Sequence, residues 1–404
     1  MLNNITIDKI YQYLLIMLAF LIPLTVSGAN IIILIIVVLW LFSGNYKSKY
    51  NHLKSSKLMI ASIVFYCIHI IAIFWTEDLI WGLHILHKMW YFLLLFPVLF
   101  NIVQRKDIKY YVYAFLLAIS LTEVVSYLIW LEIIPEFKNA SVANPTPFMS
   151  HVSYNPILAF AIYLVLHEVL FNKNLNSTKF FWLGFFALTM SINMFITYGR
   201  AGQIMFFAML AILTFQFFES QRLKALIVIT IVIPGIFFAA YYSSPPFQDR
   251  VNLAIQEAVM YEADNIYMNN GSSVGQRINY AINSWDIIKQ NLLVGVGTGD
   301  FPREYRKINQ INSSHLPNIT NPHNMYVLVL VQLGLIGLVS MLSIFYYQIK
   351  LSFLSSNKFI RDSAITLPLL FLVIMLSDSY LLGHYTTLMY VFFSSFLYKD
   401  FEKT

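Results

Sequence analysis

The residues best suited to chemistry in this 404-residue chain are one histidine, two arginines and one aspartate, each beside an apolar stretch. The histidine stands in Asn321-Pro322-His323-Asn324-Met325-Tyr326, where a polar segment gives way to a long apolar one. Proline is tolerated in the first turn of a helix, where its missing N–H leaves nothing unpaired. The spacing therefore predicts His323 in the first helical turn, near the positive end of the helix dipole. A positive neighbour disfavours imidazolium, so the ring is expected to stay neutral and able to take a proton.

Arg200 lies in Thr197-Tyr198-Gly199-Arg200-Ala201-Gly202, between two apolar runs. The flanking glycines would let a ligand approach a helix N-terminus closely. Arg277 opens an amphipathic stretch after Gly271-Ser272-Ser273-Val274-Gly275-Gln276, and Asp378 lies in Met375-Leu376-Ser377-Asp378-Ser379, near the outer end of a late apolar run. Ionisable groups in or beside membrane spans are costly and by default mark function. Each also has a plainer role open to it. Arg200 can snorkel from a helix end, Arg277 can be a loop charge, and His323 and Asp378 can be satisfied by neighbours. His84, His87 and Lys88 form a further cluster; Lys88 could reach a phosphate, while interfacial anchoring with Trp81 and Trp90 is the simpler reading.

The elements that must hold these groups follow from composition. With 58% hydrophobic and 11% charged residues, the chain is far from the roughly 25% charged usual in soluble proteins. A crossing helix needs about 20 mostly apolar residues. Candidate spans lie near 10–27, 29–43, 58–76, 80–103, 110–131, 151–171, 180–198, 201–218, 223–242, 323–347, 364–383 and 384–398. The expected fold is an all-α polytopic membrane protein of about 12 transmembrane helices. No cleavable leader is evident, so the first apolar run reads as a retained helix. The single cysteine, Cys67, excludes an intramolecular disulfide.

Lys and Arg in short loops orient such a bundle. With both termini cytoplasmic, every short inside loop is basic, as at Lys47, Lys49, Lys54 and Lys57, or Arg105, Lys106 and Lys109. The net charge of +6 is then mostly a topology signal, and no nucleic-acid partner is needed to explain it. All four candidate site residues fall on the opposite, external side. The chain divides into residues 1–242 with nine spans, a large outer loop lobe at 243–322, and residues 323–404 with three spans and a short tail. Acidic residues including Asp249, Glu257, Glu262, Asp264 and Asp286 bring the lobe close to neutrality, as in a folded cap. In it Ile278, Ala281, Ile282, Trp285 and Ile288 recur at helical spacing, a face for packing on the membrane rim or on other helices. Gly295-Val296-Gly297-Thr298-Gly299-Asp300-Phe301 is not G-x-G-x-x-G and has no strand–helix unit around it, so a tight turn is expected. No metal-ligand spacing such as H-E-x-x-H occurs, so no metal is expected.

The constellation resembles the O-antigen ligase family, within the larger group that also holds O-antigen polymerases and protein O-oligosaccharyltransferases. The likeness rests on Tyr198-Gly199-Arg200-Ala201-Gly202, on Gly275-Gln276-Arg277 followed by Trp285 and Asn291 to Phe301, and on Pro322-His323-Asn324-Met325-Tyr326 with Gln332-Leu333-Gly334-Leu335-Ile336-Gly337. It covers roughly residues 180–345. The resemblance implies a glycosyltransferase at the periplasmic face of the bacterial inner membrane. Its donor would be a polysaccharide on undecaprenyl diphosphate and its acceptor a sugar hydroxyl of the lipid A–core, in a metal-independent, inverting transfer with no cofactor. Carried over by motif, Arg200 and Arg277 would bind diphosphate and His323 would be the base, with Asp378 at the position of a family aspartate as support; Lys88, read from its own place at an outer span end, would be a further supporting residue. A polymerase joining lipid-linked repeat units would use the same donor and base. Its frequent R-x10-G pattern is missing, since no residue eleven after Arg200, Arg250, Arg277 or Arg303 is glycine. A transporter would gather ionisable residues near the midplane between inverted repeats, and neither feature is present.

Overall fold

The computed structural model describes residues 4–138, 140–259 and 273–399. Glu262, Asp264 and the Gly271-Ser272 stretch therefore lie outside the described residues. Among the described residues there is no strand, only an isolated bridge between Ser141 and Asn144. Helices α1 (Asn4–Leu21) and α2 (Val26–Phe42) meet around Pro23, earlier than expected. Thr25 fixes that start by accepting from the Gly28 N–H at 3.3 Å. The short basic helix α3 (Tyr46–Ser55) turns 114° from α2, and α4 (Lys57–Ala72) follows. Helix α5 (Leu79–Trp90) runs through one π turn, Tyr91–Leu95, into α6 (Phe96–Ile102).

Long helices come next: α7 (Ile108–Trp130), α8 (His151–Phe171), α9 (Ser177–Ile196), α10 (Arg200–Phe218) and α11 (Arg222–Ser243). The lobe contributes α12 (Pro245–Val259), α13 (Ser273–Gln290) and α14 (Phe301–Asn312). The chain returns through α15 (Met325–Ser352), α16 (Lys358–Ile374) and α17 (His384–Leu397). Among the described residues eight helical stretches can cross a membrane by length and composition, or nine if the bent pair α2–α3 is one span. That is fewer than the twelve expected. The difference is four helices, α1, α2, α16 and α17, with 18, 17, 17 and 14 residues, all below the about 20 of a perpendicular crossing. Helix α17 is instead central, with every residue from Thr386 to Leu397 buried. The protein is a multi-pass, all-helical membrane protein.

Two features of the lobe depart from the sequence reading. The buried side of α13 carries Asn279, Tyr280, Asn283, Ser284, Ile287 and Ile288. Asn283 Nδ2 donates to Ser313 Oγ at 2.8 Å, and Asn312 Nδ2 donates to Asp286 Oδ2 at 3.0 Å, so α13 and α14 are joined by polar contacts. Of the apolar stripe read from the sequence only Ile288 is buried; Trp285 is 55% exposed. That face turns outward instead of packing into the bundle.

The glycine-rich turn is more than a turn. Helix α15 is broken at Gly334 (φ 62, ψ −158), where the backbone leaves helical geometry. The segment after α13 fills the break: Val296 N–H donates to Val331 O at 2.9 Å, Gly297 N–H to Gln332 O at 3.0 Å, and Leu335 N–H to Leu292 O at 2.9 Å. A Cβ on Gly334 would lie 2.4 Å from the Leu293 carbonyl. Beyond it, Asp300 accepts from the Glu77 and Asp78 N–H groups, both at 2.8 Å, and so ties the loop to the start of α5.

Candidate functional site

The residue at the centre, His323, is not in a helix. Asn324 caps α15, its side chain accepting from the Tyr326 and Val327 N–H groups at 3.0 and 3.1 Å, so the helix opens at Met325. An Asx cap outcompetes the proline signal, which leaves Pro322 and His323 outside. His323 sits at φ 53, a left-handed conformation costing a non-glycine residue on the order of 1 kcal/mol. It is held there because the Asn321 side chain accepts from the His323 N–H at 3.0 Å. His323 therefore stands one residue ahead of the cap and not in the first helical turn.

A carboxylate stands beside it. His323 Nδ1 lies 3.3 Å from Asp378 Oδ2, in ion-pair reach though not aligned as a hydrogen bond. Asp378 is not in a span but in the turn between α16 and α17. Its other oxygen accepts from Asn321 Nδ2 at 2.9 Å and from the Ser379 N–H at 2.7 Å. Burial pushes the Asp378 carboxyl up; His323, the Ser379 N–H and Asn321 outweigh it, and the group sits below the usual carboxylate range. Backbone contacts fix the pair from both sides, with Met325 N–H donating to Met375 O at 2.9 Å and Asn324 Nδ2 to Leu376 O at 3.2 Å.

Around this pair the structure gathers further predicted residues. Lys88, Asn321, Asp378 and Tyr380 line one cavity of ≈ 290 Å³, to which Val152 and Ser153 of α8 also belong. The Tyr280 ring of α13 lies 6.3 Å from the imidazole of His323. Arg277, one turn before Tyr280, is exposed. Its charge reaches both neighbouring phenols: burial raises Tyr280 against the opposing Arg277, and burial pushes Tyr380 up to about 12 with Arg277 opposing. His323, Asp378, Lys88 and Arg277 thus share one corner.

Arg200 opens α10, whose start packs on His151 and Asn155 of α8, the helix that also supplies Val152 and Ser153 to that cavity. Gly199 (φ 125) caps α10. The space left by its glycines is filled by protein rather than kept for a ligand. A Cβ on Gly202 would lie 2.2 Å from the Asn155 Cβ, and one on Gly199 would lie 2.8 Å from Asn155 Nδ2. Asn155 also donates to Tyr198 O at 2.6 Å, which locks the turn to α8. Arg200 Nη1 donates to Glu257 Oε2 at 3.0 Å, a pairing absent from the sequence reading because the partners are 57 residues apart. The guanidinium of Arg250 stacks 4.4 Å over the Tyr198 ring. Only chain folding reveals these two neighbours.

A helical bundle with a histidine–carboxylate pair beside a cavity lined by Lys88 defines a multi-pass membrane protein with a polar pocket between its helices. Residues 185–342 match the model of the O-antigen ligase family, and the resemblance carried by the motifs is borne out over that stretch. It holds Arg200, Arg277 and His323; Lys88 and Asp378 fall outside it. The family is one of O-antigen ligase or polymerase-type membrane glycosyltransferases. No curated protein matches the chain.

Proposed function

We propose that the protein is an O-antigen ligase, transferring a polysaccharide from undecaprenyl diphosphate to a sugar hydroxyl of the lipid A–core. The observation that carries this reading is the His323–Asp378 pair at 3.3 Å, in the corner shared with Arg277 and Lys88. With Nδ1 on the carboxylate side of the ring, Nε2 is the atom left to take a proton. The acceptor hydroxyl gives that proton to His323 as its oxygen attacks the anomeric carbon. The bond to the diphosphate breaks on the opposite face, and the diphosphate leaves with the electron pair, which inverts the anomeric centre.

The leaving group gains negative charge in this step, and Arg200 and Arg277 offset it. Guanidinium suits the task because its planar fork grips phosphate oxygens and stays charged. With arginines supplying the positive charge the transfer is metal-independent and uses no cofactor. Lys88 lines the same cavity from the α5 side, away from the leaving diphosphate. The lipid tails stay in the bilayer, and no nucleic acid takes part.

Basic inside loops orient the chain in the bacterial inner membrane with both termini cytoplasmic and the site at the periplasmic face. About twelve crossings complete the bundle, with the lobe at 243–322 as a periplasmic cap. Gel electrophoresis of lipopolysaccharide from a deletion strain tests the assignment. Loss of all long chains from lipid A, with long chains kept on the lipid carrier, is expected. Lipid A bearing single repeat units would instead mark a polymerase.

A further inference from the structure

Helix α5 carries three ionisable side chains on one face: His84, His87 and Lys88 stand at i, i+3 and i+4. None enters the core, for His84 and His87 are exposed and Lys88 half-buried. Yet Leu79–Ile102 is a candidate membrane span. At 1.5 Å per residue, His84 and Lys88 lie about 7–14 Å along it from Leu79. That is the depth of headgroups and upper acyl chains. Ionisable groups on the lateral face of a span are costly unless an opposite charge meets them. Among the described residues no carboxylate pairs with Lys88.

This face opens on a cleft of ≈ 560 Å³ whose far wall is Asn30, Ile33, Leu34 and Val37 of α2. Leu34 is 63% exposed, so the cleft opens sideways to lipid. At its α17 end the Nε2 of His384 is buried without a hydrogen-bond partner, while the Tyr91 hydroxyl engages Nδ1. Lys88 lines both this cleft and the cavity holding Asn321 and Asp378. A lipid lying in the cleft would bring its head to the wall behind which the histidine–aspartate pair sits.

We propose that this cleft is the docking site of the acceptor, and that it recognises a phosphate on a phosphorylated, acylated glycolipid. Lys88 supplies the point charge, His84 and His87 supply hydrogen bonds, and an acyl chain runs along Ile33, Leu34 and Val37. The acceptor is chosen over the donor because the cleft meets the base's cavity through α5, whereas Arg200 flanks it through α8. The inference rests on the glycosyl-transfer reading above, and its test separates the two.

Native mass spectrometry of the full chain in detergent measures binding of lipid A with both phosphates, dephosphorylated lipid A, undecaprenyl diphosphate and inorganic phosphate. Removing the phosphates is expected to weaken lipid A binding about tenfold or more, the worth of a charge-assisted contact. Lys88→Gln should weaken the phosphorylated form to the level of the dephosphorylated one, Lys88→Arg should keep it, and undecaprenyl diphosphate binding should be unmoved. In the transfer assay Lys88→Gln should raise the acceptor KM about tenfold. Equal binding of both lipid A forms would overturn the proposal. So would loss of undecaprenyl diphosphate in place of lipid A on Lys88→Gln, or inorganic phosphate binding as well as the lipid. If Lys88→Gln does not fold, the comparison of the two lipid A forms on the wild-type chain still decides. Phosphate-dependent lipid A binding without any transfer would leave the cleft standing and sink the transferase reading alone.

Discussion

The imidazole of His323 faces the carboxylate of Asp378 at 3.3 Å, and Asn321 ties the two together by accepting from the His323 N–H and donating to Asp378 Oδ1. A carboxylate so placed fixes the tautomer and orientation of the ring. Asp378→Asn should therefore lower kcat about 10²-fold or more while leaving donor binding unchanged. Steady-state kinetics with purified protein check this, and wild-type turnover would reduce Asp378 to a structural anchor.

The same pair has a pH consequence. Asp378 lies below its ordinary value, about 3.9 in an unfolded chain. A depressed carboxylate contributes stability that is present above the unfolded value and is lost as pH falls through the folded one. Thermal unfolding followed from about pH 7 down to about pH 3 should show stability falling only below about pH 4 for this group. Asp378→Asn should remove that component, and an unchanged acid slope in the variant would contradict the pairing.

Arg200 and Glu257 meet at 3.0 Å with the carboxylate 6% and the guanidinium 27% exposed. Removing either partner leaves a poorly solvated charge, so each single substitution should cost about 1–3 kcal/mol of stability, and a double-mutant cycle should return a coupling of about 1–2 kcal/mol. Additive losses would show that the contact contributes nothing to the docking of α12.

Arg277 forms no ion pair with any described residue. If it grips phosphate oxygens through its fork, Arg277→Lys should lose most transfer activity despite keeping the charge. Full activity in Arg277→Lys would argue for a diffuse electrostatic role.

The break in α15 gives a stability prediction. A Cβ on Gly334 meets the Leu293 backbone at 2.4 Å and the residue has φ 62, so Gly334→Ala should cost roughly 2–5 kcal/mol. Gly184→Ala, a helical position with open space around it, should be neutral or stabilising by under about 1 kcal/mol. Melting temperatures in detergent compare the two.

Much of the bundle was legible because long apolar runs leave few alternatives, and helices α4 to α11 stand where those runs lie. Less was legible wherever two local signals compete. Pro322 points to a helix start, yet the Asn324 cap wins and puts His323 beside Asp378 instead of on the helix dipole. Gly334 sits inside an unbroken apolar run, and nothing local tells that a loop 40 residues upstream will fill a gap there (Val294 beside Gly334). The glycines around Arg200 mark a close approach correctly, but the approaching group is Asn155 of α8. The stripe on α13 follows helical spacing and still faces outward, because Asn283 and Asp286 find polar partners on α14.

The most direct test of the central claim is transfer by purified protein from an undecaprenyl diphosphate-linked glycan to lipid A–core, read as a joined product on a gel. The wild-type chain should form it, and His323→Ala should lose it by about 10²-fold or more while still binding donor. Product formed at the wild-type rate by His323→Ala would contradict the assignment of this histidine as the base.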